Sequence, residues 1–165
     1  MKLYIAGPDV FRPDVADWAE NVRAFCRREG HEALIPLDAA ESGATAIYRN
    51  NLRQIGEADA VLANLNPFRG AEPDSGTCVE IGYALALGKP VIGYAESLVP
   101  MRQRLCPATI GDCTDDAGWA VEDFGLPLNL MLAVPLRLEC GDIEDAVRAV
   151  SRTHQDHLDA VGDPP

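Results

Sequence analysis

The chain is short of positive charge. Fourteen Lys and Arg stand against 26 Asp and Glu in 165 residues, a formal net charge of −12. A nucleic-acid backbone and an anionic membrane each require a basic face, so neither is an expected partner. A neutral small molecule is not excluded. No apolar run approaches the roughly 20 residues of a membrane span. The first run, Leu3 to Ala6, is cut by Gly7-Pro8 and is too short for a signal-peptide core, so a cytoplasmic protein is expected. No CxxC occurs among the five cysteines (Cys26, Cys78, Cys106, Cys113 and Cys140), and their odd number reads as reduced thiols.

Cofactor fingerprints are missing as well. There is no GxGxxG, which leaves dinucleotide binding without its signature. Gly82 to Lys89 resembles a P-loop only superficially. Five residues separate its two glycines, Pro90 stands where Ser or Thr is needed, and Lys89 lies at the wrong end of the helix. His154 and His157 form an HxxH near a chain end, with no other ligand candidates beside them. No metal and no cofactor is therefore expected.

What the chain does have is strand–helix alternation. Apolar strands are predicted at 2–7, 31–38, 60–65 and 91–95. Amphipathic helices are predicted at 13–30, 44–59 and 142–155, with a further helix over 77–87. Val15, Trp18, Ala19, Val22, Phe25 and Cys26 line one face of the first helix. After residue 96 the pattern weakens. A helix near 97–105, a fifth strand at Trp119-Ala120-Val121 and a short helix within 127–134 are the best readings there. The composition, 47% hydrophobic and 24% charged, suits a single globular domain over 1–160. Such alternation implies an α/β fold: a doubly wound parallel sheet in a flavodoxin-like three-layer sandwich. Ligands in such folds bind outside the carboxyl ends of the strands. The loops Gly7–Phe11, Pro36–Asp38 and Asn64–Gly76 meet at that edge.

The helix beginning in "DSGTCVEIGYALALGKP" (74–90) is apolar on nearly every side, yet it carries Glu80. A buried carboxylate is costly unless it is paired or used. Thr77-x-x-Glu80 fits a capping box, in which Glu80 would reach back to a backbone N–H, and Asp74 fits an N-cap. Alternatively, Glu80 is a nucleophile toward a sugar's anomeric carbon. The helix dipole favours the anion by only about 0.3–2 kcal/mol and cannot offset full burial. A nucleophilic Glu80 must then line a cleft and have a hydrogen-bond donor beside it. Tyr4, in the first strand, is the candidate donor.

Three segments in order, "LYIAGPDVF" (3–11), "ADAVLANLNPFRGAEPDSGTCVEIGYALALGKPVIGY" (58–94) and "EDFGLPLNLMLA" (122–133), together resemble the nucleoside 2-deoxyribosyltransferases. The Asp-x5-Glu spacing of Asp74 and Glu80, followed by Asn129-Leu130-Met131, carries the likeness. The resemblance implies transfer of 2-deoxyribose between purine or pyrimidine bases through a deoxyribosyl-Glu80 intermediate, with net retention. It implies that Asp74 holds sugar hydroxyls, Tyr4 orients Glu80, and Phe11 packs on the base. Asn129 would reach a neighbouring subunit's site in a homo-oligomer, and Met131 would line that site. Deoxynucleosides and free bases are the implied partners. Plain core packing is the alternative for Phe11 and Met131.

One position departs from part of the family. Some members carry Asp where this chain has Asn51, and an amide cannot serve as the acid that protonates the leaving base. Asp38 and Asp9, at neighbouring strand ends, are the substitutes. Asn51 can still bond the base, or serve as a structural amide on its helix's inner stripe. Two rivals remain at this stage: an N-glycoside hydrolase of deoxynucleosides or nucleoside 5′-monophosphates, and a non-enzymatic flavodoxin-like binding module.

Overall fold

The structure is a computed structural model that describes residues 1–37, 43–108 and 111–161, with 153–161 described by backbone alone. Asp38 and the side chains of His154 and His157 lie outside the described residues. Five strands, β1 (Lys2–Ala6), β2 (Glu32–Leu34), β3 (Ala60–Asn64), β4 (Val91–Ala95) and β5 (Arg137–Cys140), form one parallel sheet in the order β2-β1-β3-β4-β5. This is the flavodoxin-like doubly wound order, whose direction of winding reverses between β1 and β3.

Helices α1 (Val15–Arg28) and α6 (Ile143–Val161) cover one face. Helices α2 (Ala44–Glu57) and α3 (Ser75–Ala86) cover the other. Two short helices follow β4: α4 (Met101–Leu105) and α5 (Leu130–Ala133). The period-two alternation of β1 decides what each face receives. Leu3 and Ile5 join Val22, Phe25 and Val147 on the α1/α6 side. Tyr4 and Ala6 point the other way, toward Ile55, Ile81 and Ala84 of α2 and α3. β3 and β4 are buried along their whole length, as a sheet covered on both faces requires.

Two local devices fix α2 and α3 against the sheet. Lys89, just past α3, donates its Nζ to the carbonyls of Gly56 (2.7 Å) and Ala58 (2.6 Å), closing the C-terminal end of α2. Gly93 of β4 leaves room for Leu65: a Cβ there would collide with Leu65 Cδ1 and lie 3.2 Å from Leu138 Cδ2.

Three sequence expectations are corrected. The fifth strand is Arg137–Cys140, not 119–121. Its polar-apolar alternation is that of an exposed edge strand, whereas Trp119 is 75% exposed and Ala120 makes only an isolated bridge to Thr114. The cysteines are not all thiols, because Cys106 and Cys113 form a disulfide; the intervening turn brings their Cα atoms to 6.1 Å, within bridging range. Cys26, Cys78 and Cys140 are free. Finally, α3 is not buried all round in the single chain, since Val79 and Leu87 are exposed. Among the described residues, no helix is long and apolar enough to cross a membrane.

The packing at Gly93 is testable. Gly93→Val is expected to destabilise the protein by about 1–3 kcal/mol through overpacking against Leu65. Chemical denaturation at neutral pH measures it, and an unchanged midpoint would show that this part of the core yields.

Candidate active site

The site is built where β1, α2 and α3 converge. Asp74 is the N-cap of α3: its Oδ2 accepts from the Thr77 N–H (3.0 Å) and from the Thr77 hydroxyl (3.2 Å). The helix therefore starts at Ser75, and Thr77 is its third residue rather than its cap. The capping box expected between Thr77 and Glu80 does not form, because its cap position is taken by Asp74. Glu80 is left free to turn toward the sheet.

There it meets two donors. Tyr4 Oη donates to Glu80 Oε1 at 2.6 Å, and Asn51 Nδ2 donates to the same oxygen at 3.1 Å. Among the described residues, none bonds Oε2. Burial pushes the Glu80 carboxyl up, the Tyr4 and Asn51 bonds oppose this, and the Asp74 charge adds to it; the net direction is upward. Tyr4 is fully buried. Burial, then the charge and hydrogen bond of Glu80, raise its phenol far above the ordinary value, so it stays a protonated donor. The Asn51 amide orientation follows from the same contact, since its oxygen turned toward a carboxylate would repel. Asn51 Oδ1 is buried without a partner among the described residues.

The loop after β1 adds a second group. Asp9 lies in a 3-10 turn (Pro8–Phe11), where its Oδ2 accepts from Asn64 Nδ2 at 2.8 Å. Asn64 Oδ1 in turn accepts from the backbone and side-chain nitrogens of Asn66 at 3.0 and 2.9 Å. Gly7 is required by this close approach, because a Cβ there would stand 2.8 Å from Asn64 Cβ and 2.9 Å from Asp9 Oδ2. Phe11 is 59% exposed and stacks on Phe68, with ring centroids 5.6 Å apart. The Arg69 guanidinium lies over both rings, at 5.2 and 4.7 Å.

Asn129 and Met131 lie elsewhere. Asn129 caps α5, accepting from the Met131 N–H at 3.0 Å and donating to Glu122 Oε1 at 2.6 Å. Both residues line a cleft of about 970 Å³ against Cys78, Ile81, Gly82 and Leu85 of α3. The Glu80 carboxylate is not part of that cleft. The structure thus joins Tyr4, Asn51 and Glu80 directly, sets Asp74 at the start of the same helix, and leaves Asn129 and Met131 against another α3 face. Sequence reasoning missed Phe68, Arg69 and Glu122. The first two could have been found, since they sit in the loop that meets the sheet's ligand edge. Nothing in the sequence marks Glu122.

A family profile described as nucleoside 2-deoxyribosyltransferase matches residues 3–131. The chain belongs to the nucleoside 2-deoxyribosyltransferase family. A solved 2-desoxiribosyltransferase from Leishmania mexicana is 38% identical, with a TM-score of 0.80 over 93% of this chain and 98% of that one. A 2-deoxyribosyltransferase from Bacillus psychrosaccharolyticus is 22% identical, with a TM-score of 0.56 over 92% and 90%, and shares the fold. An uncharacterized protein of Schizosaccharomyces pombe is 32% identical over 102 residues, 56% of this chain; the match spans 48% of that relative's length. The part matched by the deoxyribosyltransferase profile runs from β1 into α5, so it includes Tyr4, Phe11, Asn51, Asp74, Glu80, Asn129 and Met131.

The electrostatics of Glu80 carry a sign. A carboxyl raised in the folded state binds its proton more tightly there than in the unfolded chain. Its contribution favours folding at low pH and is lost as pH rises above the unfolded value, about 4.3. Glu80→Gln keeps the acceptor for Tyr4 and Asn51 but never ionises. It is expected to melt at a higher temperature than wild type at pH 7, with the difference vanishing near pH 4. A Gln variant that is less stable at pH 7 would show that the two donors outweigh burial.

Proposed function

We propose that the protein transfers 2-deoxyribose from one nucleobase to another through a covalent ester on Glu80, with net retention at C1′. The observation that carries this reading is the asymmetric carboxylate: Oε1 holds two neutral donors, and Oε2 has no described partner. Oε2 attacks C1′ as the N-glycosidic electron pair leaves with the base, which takes up a proton. Oε1 becomes the ester carbonyl and keeps its bonds to Tyr4 and Asn51. A second base then attacks C1′ through a ring nitrogen and loses its proton. Glu80 departs as a carboxylate, and the two donors stabilise the charge returning to it. Two inversions give retention.

Asp74, whose Oδ2 is engaged by Thr77, accepts sugar hydroxyls through its anionic carboxylate. The missing 2′-hydroxyl favours the reaction, because an electron-withdrawing oxygen there opposes an oxocarbenium-like transition state. The Asn51 amide cannot supply the leaving-base proton. Asp9, or Asp38 from outside the described residues, takes that role. Phe11 stacks on the base.

Incubation with deoxyinosine and free adenine tests the reading. Wild type is expected to yield deoxyadenosine. Free deoxyribose without new nucleoside would mark a hydrolase, and no turnover would leave a binding module. Glu80→Ala is expected to lower transfer by about a thousandfold or more. With a slowly turned-over deoxynucleoside analogue, the sugar adduct should appear on the peptide containing Glu80. An adduct elsewhere would refute the nucleophile.

The site is completed between copies of the chain. In the isolated chain Val79 of α3, Met131 of α5 and Val134 just after it are 60%, 73% and 70% exposed, apolar surface suited to a second subunit. Asn129 and Met131 of one protomer would then face the neighbour's site. Glu80→Ala and Asn129→Ala are each expected to be nearly inactive. Mixed under subunit exchange, they should regain activity in up to about a quarter of sites, as random pairing of a two-chain site allows. No recovery despite proven exchange would exclude a shared site.

A further inference from the structure

We infer that Arg69 reads the acceptor edge of the nucleobase and favours a 6-oxopurine, an inference that rests on the transfer reading above and names its preferred base. The loop from β3 to α3 reaches the site at both ends, through Asn64 and Asn66 at one and Asp74 at the other. Its tip is closed by the Phe68 N–H bonded to the Glu72 carbonyl at 3.0 Å. Arg69 follows directly, with φ +54°, the one non-glycine residue among those described in the left-handed region. An arginine is disfavoured there, and glycine would relax the turn. Strain of this kind persists where the surrounding structure holds it, and it is concentrated at ligand contacts.

The strained backbone delivers the guanidinium onto Phe11 and Phe68. Stacking uses the flat face of the group and leaves its in-plane N–H donors open. Among the described residues, no carboxylate takes them. Arg12, Arg27, Arg53, Arg102 and Arg148 each hold an Asp or Glu at 3.0 Å or closer. Arg69 has no such partner among the described residues, in a chain with 12 more acids than bases. Its donors are therefore open to a ligand at the rings proposed to stack on the base. The described donors beside Glu80, Tyr4 and Asn51, both point at its carboxylate, so the guanidinium adds a two-pronged donor for the base.

A guanidinium fork matches two adjacent acceptors in one plane. A 6-oxopurine presents them as O6 and N7, whereas adenine places an amino donor where O6 would be. Arginine stays protonated and cannot turn acceptor to suit adenine. A site built to bond a polar group discriminates strongly against an analogue that lacks it.

The test uses the full chain with hypoxanthine and adenine. Equilibrium titration gives base affinity, and transfer from a common deoxynucleoside donor gives kcat/KM. Wild type is expected to favour hypoxanthine. In Arg69→Ala the hypoxanthine-to-adenine ratio should fall by about ten- to a hundredfold. Arg69→Lys, which keeps the charge but not the fork, should lose most of the preference. Arg69→Gly, which relaxes the backbone, should show the same loss without loss of thermal stability. An equal fall for both bases, or no fall, would overturn the assignment. So would a defect confined to nucleoside 5′-monophosphates, which would make the guanidinium a phosphate contact. If no variant transfers sugar, the transfer reading fails, while the ratio of base affinities still decides the role of Arg69.

Discussion

A carboxylate is held in the interior face of a helix by a phenol from the sheet, and much of the molecule is arranged to permit that bond. Tyr4 can reach Glu80 only because β1 is a central strand whose even positions face α2 and α3. Glu80 can be reached only because α3 begins at Ser75, which the Asp74 cap determines. Moving that cap by one residue would rotate the carboxylate by about 100° around the helix and break the contact. The phenol is neutral, so it lowers the cost of the anion without cancelling its charge, as a Lys or Arg would. The second donor, Asn51, adds to the effect without adding charge.

The topology places this bond at a point that ligands of parallel sheets use. Winding reverses between β1 and β3, so the loops leaving those two strands diverge to opposite sides and open a crevice. Phe11 comes from the first loop and Phe68 from the second, and their rings stack on each other. The Asp9–Asn64 bond ties the two loops together, at a spot where only glycine fits at position 7. The two loops are therefore pinned to each other where they leave the strand ends.

Much of this was legible in the sequence. The four strands up to residue 95 and the four long helices follow from hydrophobic period and from Gly and Pro punctuation. The pairing of Tyr4 with Glu80 could be argued from cost alone, since a carboxylate in an apolar helix needs a donor. Three features were not legible. The edge strand Arg137–Cys140 carries the alternation of a half-solvated strand in only four residues, too few to stand out. The Cys106–Cys113 bridge depends on a turn whose geometry no periodicity reports. That Thr77 and Glu80 form no capping box was not legible, although Asp74, three residues earlier, read correctly as an N-cap. Local motifs misled where a neighbouring residue could play the same part better.

The Lys89 ammonium bonds two carbonyls at the end of α2 while itself following α3 by three residues. It is a rivet between two helices that otherwise meet across side chains such as Asn51 and Glu80. With both contacts in place, α2 and α3 behave as one lever rather than two. A force applied to the outer face of α3 would then tilt the pair against β1, changing the distance from Tyr4 to Glu80 while leaving that from Asn51 to Glu80 almost constant. Softness at the Glu80 carboxylate is thereby confined to a single direction, across the gap between sheet and helix layer.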